Sequence, residues 1–231
     1  TAISPFQEHS LQLPILNRTL DDHQRSTLKS MGMELVEVQD PEGIQGEGIA
    51  FPDHTYFTPS LLREFVDRSK SAGRPTDCCL RKGAVTDRSV WRTMGVKDLG
   101  DHLRYRMSYF PSGYQEERED LVIDPDEGTA SIRFPRHVVS TGDYLAPMST
   151  RRLMHIQHWA NLWSANVSGV LGRIQELRTA PRLRLLGLAL RAGSTNPWKV
   201  SSKNVVVGKG CDIHPRAYLE NAVLRDGVEV G

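Results

Sequence analysis

The last 25 residues of the chain repeat an aliphatic position every six residues. Val207, Ile213 and Leu219 are spaced by six, and Leu224 and Val230 resume that spacing after one step that is a residue short. The pattern predicts short straight pieces that turn repeatedly and place one aliphatic side chain of each hexad on an inner wall.

The hexads VGKGCD and IHPRAY, residues 207–218, are typical of a hexapeptide β-helix. Gly208 and Gly227 would lie where the chain bends between faces, because glycine adopts positive φ at no steric cost. A glycine-punctuated β-meander is the alternative. One such unit cannot bury its own core and about three are needed, so we expect the repeat to continue and the chain to be a fragment. We also expect a homo-oligomer formed through the repeat.

Composition is typical of a soluble globular protein. The chain has 231 residues, of which 25% are charged, and a formal net charge of +1, so we expect no nucleic-acid partner. No apolar run approaches the roughly 18 residues of a membrane span, and no charged-then-apolar leader opens the sequence. Two of the three cysteines, Cys78 and Cys79, are adjacent, which favours neither a disulfide framework nor a spaced zinc site. We therefore expect reduced thiols and a cytoplasmic location.

Helix and strand signals alternate in the first part of the chain. Thr19 can cap a helix that ends at Gly32, and Pro59 fits the first turn of a second helix that ends at Gly73. Strands are expected where apolar residues alternate or cluster between these helices. The expected elements are helices over 19–31 and 58–72 and strands over 33–38, 49–51 and 78–80.

The middle of the chain has a different pattern of predicted secondary structure. Short candidate strands separated by polar turns suggest an antiparallel insertion or sheet edge, at 104–110, 120–123 and 130–134. A long core-facing helix is then predicted from Ser149 to about Leu177, because apolar residues such as Trp159, Trp163 and Val167 repeat at three and four. A leucine- and arginine-rich helix should follow over 181–191.

These elements predict three parts. An α/β domain occupies residues 1–193, a linker of turn-forming residues occupies 194–204, and the repeat occupies 205–231.

Three stretches of the α/β part resemble one enzyme family. LPILNRTLDDHQRSTLKSMG, residues 13–32, is similar to a P-L-L-x-x-N-x-P-L stretch followed by a helix, with Thr19 where proline is usual. IAFPDHTYFTPSLLREF is similar to a strand that ends in Gly-Asp, with Asp53 at the aspartate, and TGDYLAPMSTRRLM is similar to D-x-G-T-P-x-x-L, with Asp143 and Pro147 keeping the spacing. Together with the terminal hexads, these stretches resemble the sugar-phosphate nucleotidyltransferases that carry a C-terminal left-handed β-helix.

The resemblance implies a fold, a ligand class and a metal. The fold would be an α/β nucleotidyltransferase-like (Rossmann-like) parallel sheet with helices, followed by the start of a left-handed parallel β-helix. The ligands would be a nucleotide and a sugar phosphate, in activated-sugar or envelope polysaccharide metabolism. Asp53 and Asp143 would hold Mg²⁺, which neutralises charge when two anionic phosphates are joined. The two aspartates would then meet at the mouth of one cleft.

One departure from the family pattern argues against activity. The family opens with a glycine-rich loop, G-x-G-T-R, whose backbone N–H groups cradle the triphosphate. Here TAISPFQEHSLQLP precedes the matching helix. The expectation is a degenerate catalytic domain or one with altered chemistry.

Two alternatives stay open. The hexads also occur in proteins that transfer acyl groups from acyl-CoA, for which His214, the histidine of the repeat, would be the general base. The helical region combines Trp159 and Trp163 with several arginines and could lie on an anionic membrane surface as a non-catalytic, oligomerising protein.

Overall fold

The computed structural model describes most of the chain. The described residues are 2–3, 7–16, 18–133, 143–178, 182–193, 205–215, 217, 219 and 222–231, and the description covers only the backbone at 130–133, 143–144, 171–178, 182, 184 and 191–192. The expected linker, 194–204, lies outside this range. The helices are α1 (Leu20–Ser30), α2 (Pro59–Ala72), α3 (Ala84–Asp87), α4 (Trp159–Arg178) and α5 (Arg182–Ala192).

Strands occur on both sides of these helices. They are β1 (Pro14–Ile15), β2 (Arg18–Thr19), β3 (Gly48–Ala50), β4 (Thr55–Phe57), β5 (Thr76–Arg81), β6 (Lys97–Asp98), β7 (His102–Phe110), β8 (Glu119–Ile123), β9 (Thr129–Arg133), β10 (Asp143–Pro147), β11 (Leu153–His155), β12 (Val206–Val207), β13 (Asp212–Ile213), β14 (Val223–Leu224) and β15 (Glu229–Val230).

The central sheet is mixed rather than parallel. Its strand order is β3-β7-β5-β8, with β6 also paired to β7. The pair β5–β8 is parallel, whereas β7 runs antiparallel to β3, β5 and β6. The expected α/β fold class is confirmed, but the expected parallel sheet is wrong, because β7 runs antiparallel to the strands on either side of it.

The two faces of this sheet differ in chemistry. Alternation along the strands sends apolar side chains to one face, where they join the core with the buried side of α2. That face carries Cys78, Leu80, Leu103, Tyr105, Met107, Leu121 and Ile123. The opposite face carries charged and polar groups, among them Asp77, Cys79, Arg104, Arg106 and Asp120. We call this second surface the polar face.

The first two helices form as their local signals predict. The Thr19 side chain accepts a hydrogen bond from the backbone N–H of Asp22 at the start of α1. Pro59 occupies the first turn of α2, and Gly73 ends that helix with φ of 65°. The predicted buried residues Leu61, Leu62, Phe65 and Val66 are all in the core.

Residues 33–38 are coil instead of the expected strand. Val36 and Val38 are 70% and 50% exposed, so the alternating apolar side chains are not buried on one face. A strand needs a partner to complete its ladder of hydrogen bonds, and among the described residues none pairs with this segment.

The long helix starts ten residues later than predicted. Residues 153–155 form β11, which pairs antiparallel with β4, and α4 begins only at Trp159. Leu153 and Ile156 of the predicted stripe are buried but precede the helix. Within α4 the stripe is exposed at Trp159 (47%) and Trp163 (61%), whereas the small residues Ser164 and Ala165 are buried. The prediction of a core-facing apolar stripe is therefore wrong. The buried side is small because the β1–β2 hairpin approaches α4 closely.

The terminal hexads pair in parallel. Val206 lies opposite Val223 and Asp212 opposite Glu229, an offset of 17 residues in both pairs. Gly227 has φ of 71°, as expected, while Gly208 serves a different purpose. A Cβ at Gly208 would overlap the backbone nitrogen of Asp226, so glycine there permits the second pass of the chain to lie against the first. A β-meander would pair its strands antiparallel.

Candidate functional site

A cleft of about 1470 Å³ opens over part of the polar face. It is lined by much of residues 31–53, by residues of β7 that include Arg104, Arg106 and Ser108, and by Arg118 near the start of β8. Asp53, the first of the two aspartates predicted from the sequence, also lines it. Cations and one predicted site residue therefore share one concave surface.

Asp53 is held by α1 just before β4. Its carbonyl oxygen accepts a hydrogen bond of 2.8 Å from the amide of Gln24, a fully buried α1 residue that also donates to the carbonyl of Thr55 at 2.7 Å. The carboxylate Oδ1 lies 3.0 Å from His54 Nδ1, and Oδ2 lies 3.8 Å from His9 Nε2. Gln24 therefore fixes the backbone of Asp53, and the carboxylate lies at the cleft wall beside the imidazoles of His54 and His9.

The neighbour of Asp53, His54, is a buried neutral imidazole. Its Nε2 lies 3.2 Å from Arg106 Nη2 and 3.0 Å from Gln157 Nε2. A guanidinium has only donors, so Nε2 must accept, and the ring proton is on Nδ1, directed to Asp53. Burial is the main cause that lowers the pKa of His54, and the charge of Arg106 lowers it further, while the hydrogen bond that His54 donates to the charged Asp53 opposes both.

A second neutral imidazole, His155, lies behind the first. It is fully buried on β11, its Nδ1 lies 3.1 Å from Thr55 Oγ1, and its Nε2 accepts from the backbone N–H of Arg106 at 3.1 Å. The rings of His54 and His155 meet edge to face at 5.4 Å. Burial, followed by the charges near it, lowers the pKa of His155 to about 3. Arg106 therefore contacts both histidines, one through its backbone and one through its guanidinium.

Arg106 differs from the other two arginines of this surface. Arg104 forms an ion pair with Asp120, with Nε 2.6 Å from Oδ1, and Arg118 forms one with Asp77 at 2.8 Å. Within the described ranges, no carboxylate makes an ion pair with Arg106, which is exposed and donates to a neutral imidazole. The cleft therefore contains a guanidinium whose charge is not compensated by a described acidic side chain.

The other predicted site residues lie elsewhere in the chain. Asp143 is the first residue of β10, where its backbone pairs with Arg133, and its side chain is outside the described part. His214 is an exposed residue that follows β13, and its backbone N–H donates to the carbonyl of Val230 at 2.8 Å. Sequence reasoning missed His54, Arg106 and His155 as site residues. The available signal was the adjacency of His54 to Asp53.

Potential metal ligands converge at one further place in the described chain. Cys79, His102 and Asp120 bring one ligand atom each to within 4.8 Å of one another, and Asp53 does not belong to this group. Burial raises the pKa of the Cys79 thiol, with Asp120 as the next cause, so the thiol is protonated at neutral pH.

None of the helices that the structure describes is long and apolar enough to cross a membrane. No protein-family model matches the chain, and no curated protein matches it significantly.

Proposed function

We propose that the α/β part is a sugar-phosphate nucleotidyltransferase-like domain, catalytically degenerate, that binds a nucleotide or sugar phosphate in the cleft beside Asp53. Its setting is activated-sugar or envelope polysaccharide metabolism. The observation that carries the proposal is the guanidinium of Arg106 at the cleft wall, which lies 3.2 Å from His54 and forms no ion pair with a described carboxylate.

Phosphate suits this position for electrostatic and geometric reasons. A guanidinium presents five N–H donors in one plane. Phosphate and carboxylate groups accept two of these hydrogen bonds at once and also neutralise the charge. The contact to His54 engages one Nη2 and fixes the plane of the group, while the side chain stays exposed to the cleft. Because the two buried imidazoles are neutral, no other cation of this cluster repels Arg106, and a phosphate would supply the missing negative charge.

Asp53 fits as one ligand of Mg²⁺. Mg²⁺ is usually held by one or two carboxylates together with waters and substrate phosphates, so one carboxylate on the cleft wall satisfies the protein's share. The Asp53 side chain is 36% exposed, and its Oδ2 lies 3.8 Å from His9 Nε2. A bound ion would neutralise phosphate charge, and Asp143 would be a second ligand.

An alternative follows from the terminal hexads. Their parallel pairing at a constant offset of 17 residues supports a coil of the hexapeptide type, which is the fold of many acyl-CoA-dependent transferases. In that case His214 would be the general base and the repeat would form a homo-oligomer. Acetyl-CoA turnover by the wild-type chain, lost in His214→Ala, is the outcome that favours this alternative.

Isothermal titration of the chain with a panel of nucleoside triphosphates and sugar 1-phosphates, with and without Mg²⁺, tests the main proposal. We expect one ligand to bind, and Arg106→Ala to weaken it at least tenfold, since a charge-assisted hydrogen bond contributes about 1.5–3 kcal/mol. Arg63→Ala is the matched control, because Arg63 is an exposed arginine of α2 away from the cleft lining.

Three outcomes decide the proposal. Equal weakening by both arginine variants would assign binding to general surface charge and contradict the proposed site. Absence of binding across the panel would contradict the function itself. Pyrophosphate release from a nucleoside triphosphate and a sugar phosphate would show that the domain is active. That result would refute the proposed loss of catalysis and leave the proposed ligand class in place.

A further inference from the structure

Three metal-ligating side chains of different types meet on the polar face, away from Asp53. Cys79 lies on β5, His102 is the first residue of β7, and Asp120 lies on β8. These strands are neighbours in the sheet, and the residues project from adjacent strands toward one point. The three residues are far apart in the sequence, and the pairing of the strands brings them together.

Two distances to the Asp120 carboxylate, one to each of its oxygens, fall in the range of a tetrahedral zinc site. Zinc bonds of about 2.0–2.3 Å place neighbouring ligand atoms about 3.3–3.8 Å apart in a tetrahedron. Cys79 Sγ lies 3.3 Å from Asp120 Oδ1, and His102 Nε2 lies 3.4 Å from Asp120 Oδ2. All three ligand atoms lie within 4.8 Å of one another, so small side-chain rotations suffice to place them around one ion.

Hydrogen bonds from neighbouring side chains hold His102 and Asp120 in the way that orients zinc ligands. His102 Nδ1 lies 2.7 Å from Asp101 Oδ1, which fixes the ring proton on Nδ1 and leaves the Nε2 lone pair for the cluster. Asp120 is held in turn by Arg104, whose Nη2 donates to Oδ2 at 2.6 Å. Ligating histidines commonly donate their second N–H to a carboxylate, and ligating carboxylates are themselves hydrogen-bonded.

We propose that Cys79, His102 and Asp120 form a binding site for one Zn²⁺ ion, with a fourth position open to water or another ligand. Thiolate and imidazole suit zinc and disfavour Mg²⁺, which prefers oxygen ligands alone. When the ion binds, the Cys79 thiol releases its proton to solvent and the sulfur coordinates the metal. Arg104 stays on Asp120 as a positioning residue.

The competing explanation is an ion pair that needs no metal. Arg104 already compensates the charge of Asp120, and a protonated Cys79 can donate its S–H to the same carboxylate. The two explanations differ in whether the sulfur of Cys79 coordinates a metal ion that is added to the folded chain. The test must therefore detect coordination at Cys79 itself.

Titration of the metal-free chain with Co²⁺, followed by displacement with Zn²⁺, makes that distinction. We expect one equivalent of Co²⁺ to produce a thiolate-to-cobalt charge-transfer band, which Zn²⁺ abolishes, and Zn²⁺ to raise the melting temperature. Cys79→Ser should remove the band. Cys211→Ser, a partly exposed cysteine of the repeat, should leave the band unchanged.

Two further variants keep the test informative if Cys79→Ser fails to fold. His102→Gln should weaken Co²⁺ binding at least tenfold, and Asp101→Asn, a change at an exposed residue, should weaken it about 10- to 100-fold while the band persists. Absence of a charge-transfer band in the folded wild-type chain would overturn the proposal. A band lost in Cys211→Ser, or unaffected by His102→Gln, would do so as well.

Discussion

At the scale of single residues, Arg106 joins the cleft to the core. Its backbone N–H binds His155 and its guanidinium binds His54, so one residue of β7 orients two imidazoles that lie 101 positions apart in the sequence. Both rings accept a hydrogen bond on Nε2 and both are neutral. A proton on either ring would turn an acceptor into a donor opposite the donors of Arg106, which couples the state of these rings to folding.

We expect acid to destabilise the chain through His155. Its folded pKa of about 3 lies below the value of 6.5 for a solvated histidine, so the unfolded chain takes up the proton first as the pH falls. The free energy of unfolding should be highest near pH 7 and should fall between pH 6.5 and pH 3, with up to about 4 kcal/mol from this residue. Urea unfolding at several pH values measures the slope.

The matched variants for that slope are two histidine substitutions. His155→Gln should flatten the dependence on pH below 6.5, whatever its effect on stability at neutral pH. His214→Gln changes an exposed histidine and should leave the slope as it is. An identical slope in wild type and His155→Gln would contradict the assignment.

The site could be predicted from the sequence only in part. Asp53 was found because it lies beside a strand and matches a local motif. Its cluster was missed because the contacts of His54 span 52 residues to Arg106 and 103 to Gln157, which no local pattern encodes. Burial also decides that both histidines are neutral, and burial is a property of the folded chain.

At the scale of elements, α4 is shaped by a glycine. A Cβ at Gly169 would overlap Leu16 Cδ1 and lie 2.7 Å from Leu16 Cγ, so a side chain there would require Leu16 to move. Asn166 completes this contact. Its Oδ1 accepts from the N–H of Leu16 at 3.0 Å, and its Nδ2 donates to the carbonyl of Pro14 at 3.1 Å. The small, polar side of α4 is therefore the side that packs.

Gly169→Ala should destabilise the chain by about 1–3 kcal/mol, because the added methyl group forces Leu16 or the hairpin to move. Gly187→Ala is the control within the neighbouring helix α5, since no atom lies within 4 Å of the Cβ that it adds. That change should be neutral or should stabilise by up to about 1 kcal/mol through helix propensity. Thermal unfolding of both variants measures the difference, and equal effects would refute the packing argument.

Elements with local end signals were the ones that the sequence predicted well. The cap at Thr19 and the glycine at 73 act within a few residues, so α1 and α2 begin and end as expected. The start of α4 was not predictable in the same way. Leu153 pairs with Phe57 in β4, 96 residues earlier, and that partner converts a helical-looking segment into a strand. Apolar periodicity also identifies one face of a helix, but it does not determine whether that face is buried or exposed.

At the scale of the whole molecule, the three cysteines lie in two separate parts of the chain and differ in solvent exposure. Cys78 and Cys79 are fully buried in the central sheet, and burial raises the pKa of both thiols. Cys211 is partly exposed, and its thiol contacts the carbonyl of Arg225 at 3.0 Å. Reaction with an alkylating reagent needs both access and a thiolate, so the three positions should differ widely in rate.

We expect the native chain to react at Cys211 and to protect Cys78 and Cys79 until it unfolds as a whole. Alkylation at increasing urea concentrations, read by mass spectrometry of the peptides, measures this order, and the two buried thiols should follow the global unfolding curve. Modification of Cys78 as fast as Cys211 in the absence of urea would contradict a closed central sheet.

The constant spacing of the terminal pairs restricts how this end of the protein can vary in evolution. Val206 meets Val223 and Asp212 meets Glu229 after equal lengths of chain, and Gly208 leaves no room for extra atoms at the crossing. A single-residue insertion between the paired strands would misalign every later contact. Gain or loss of a complete 17-residue unit would keep all of them, so relatives should differ here by whole units and tolerate few other length changes.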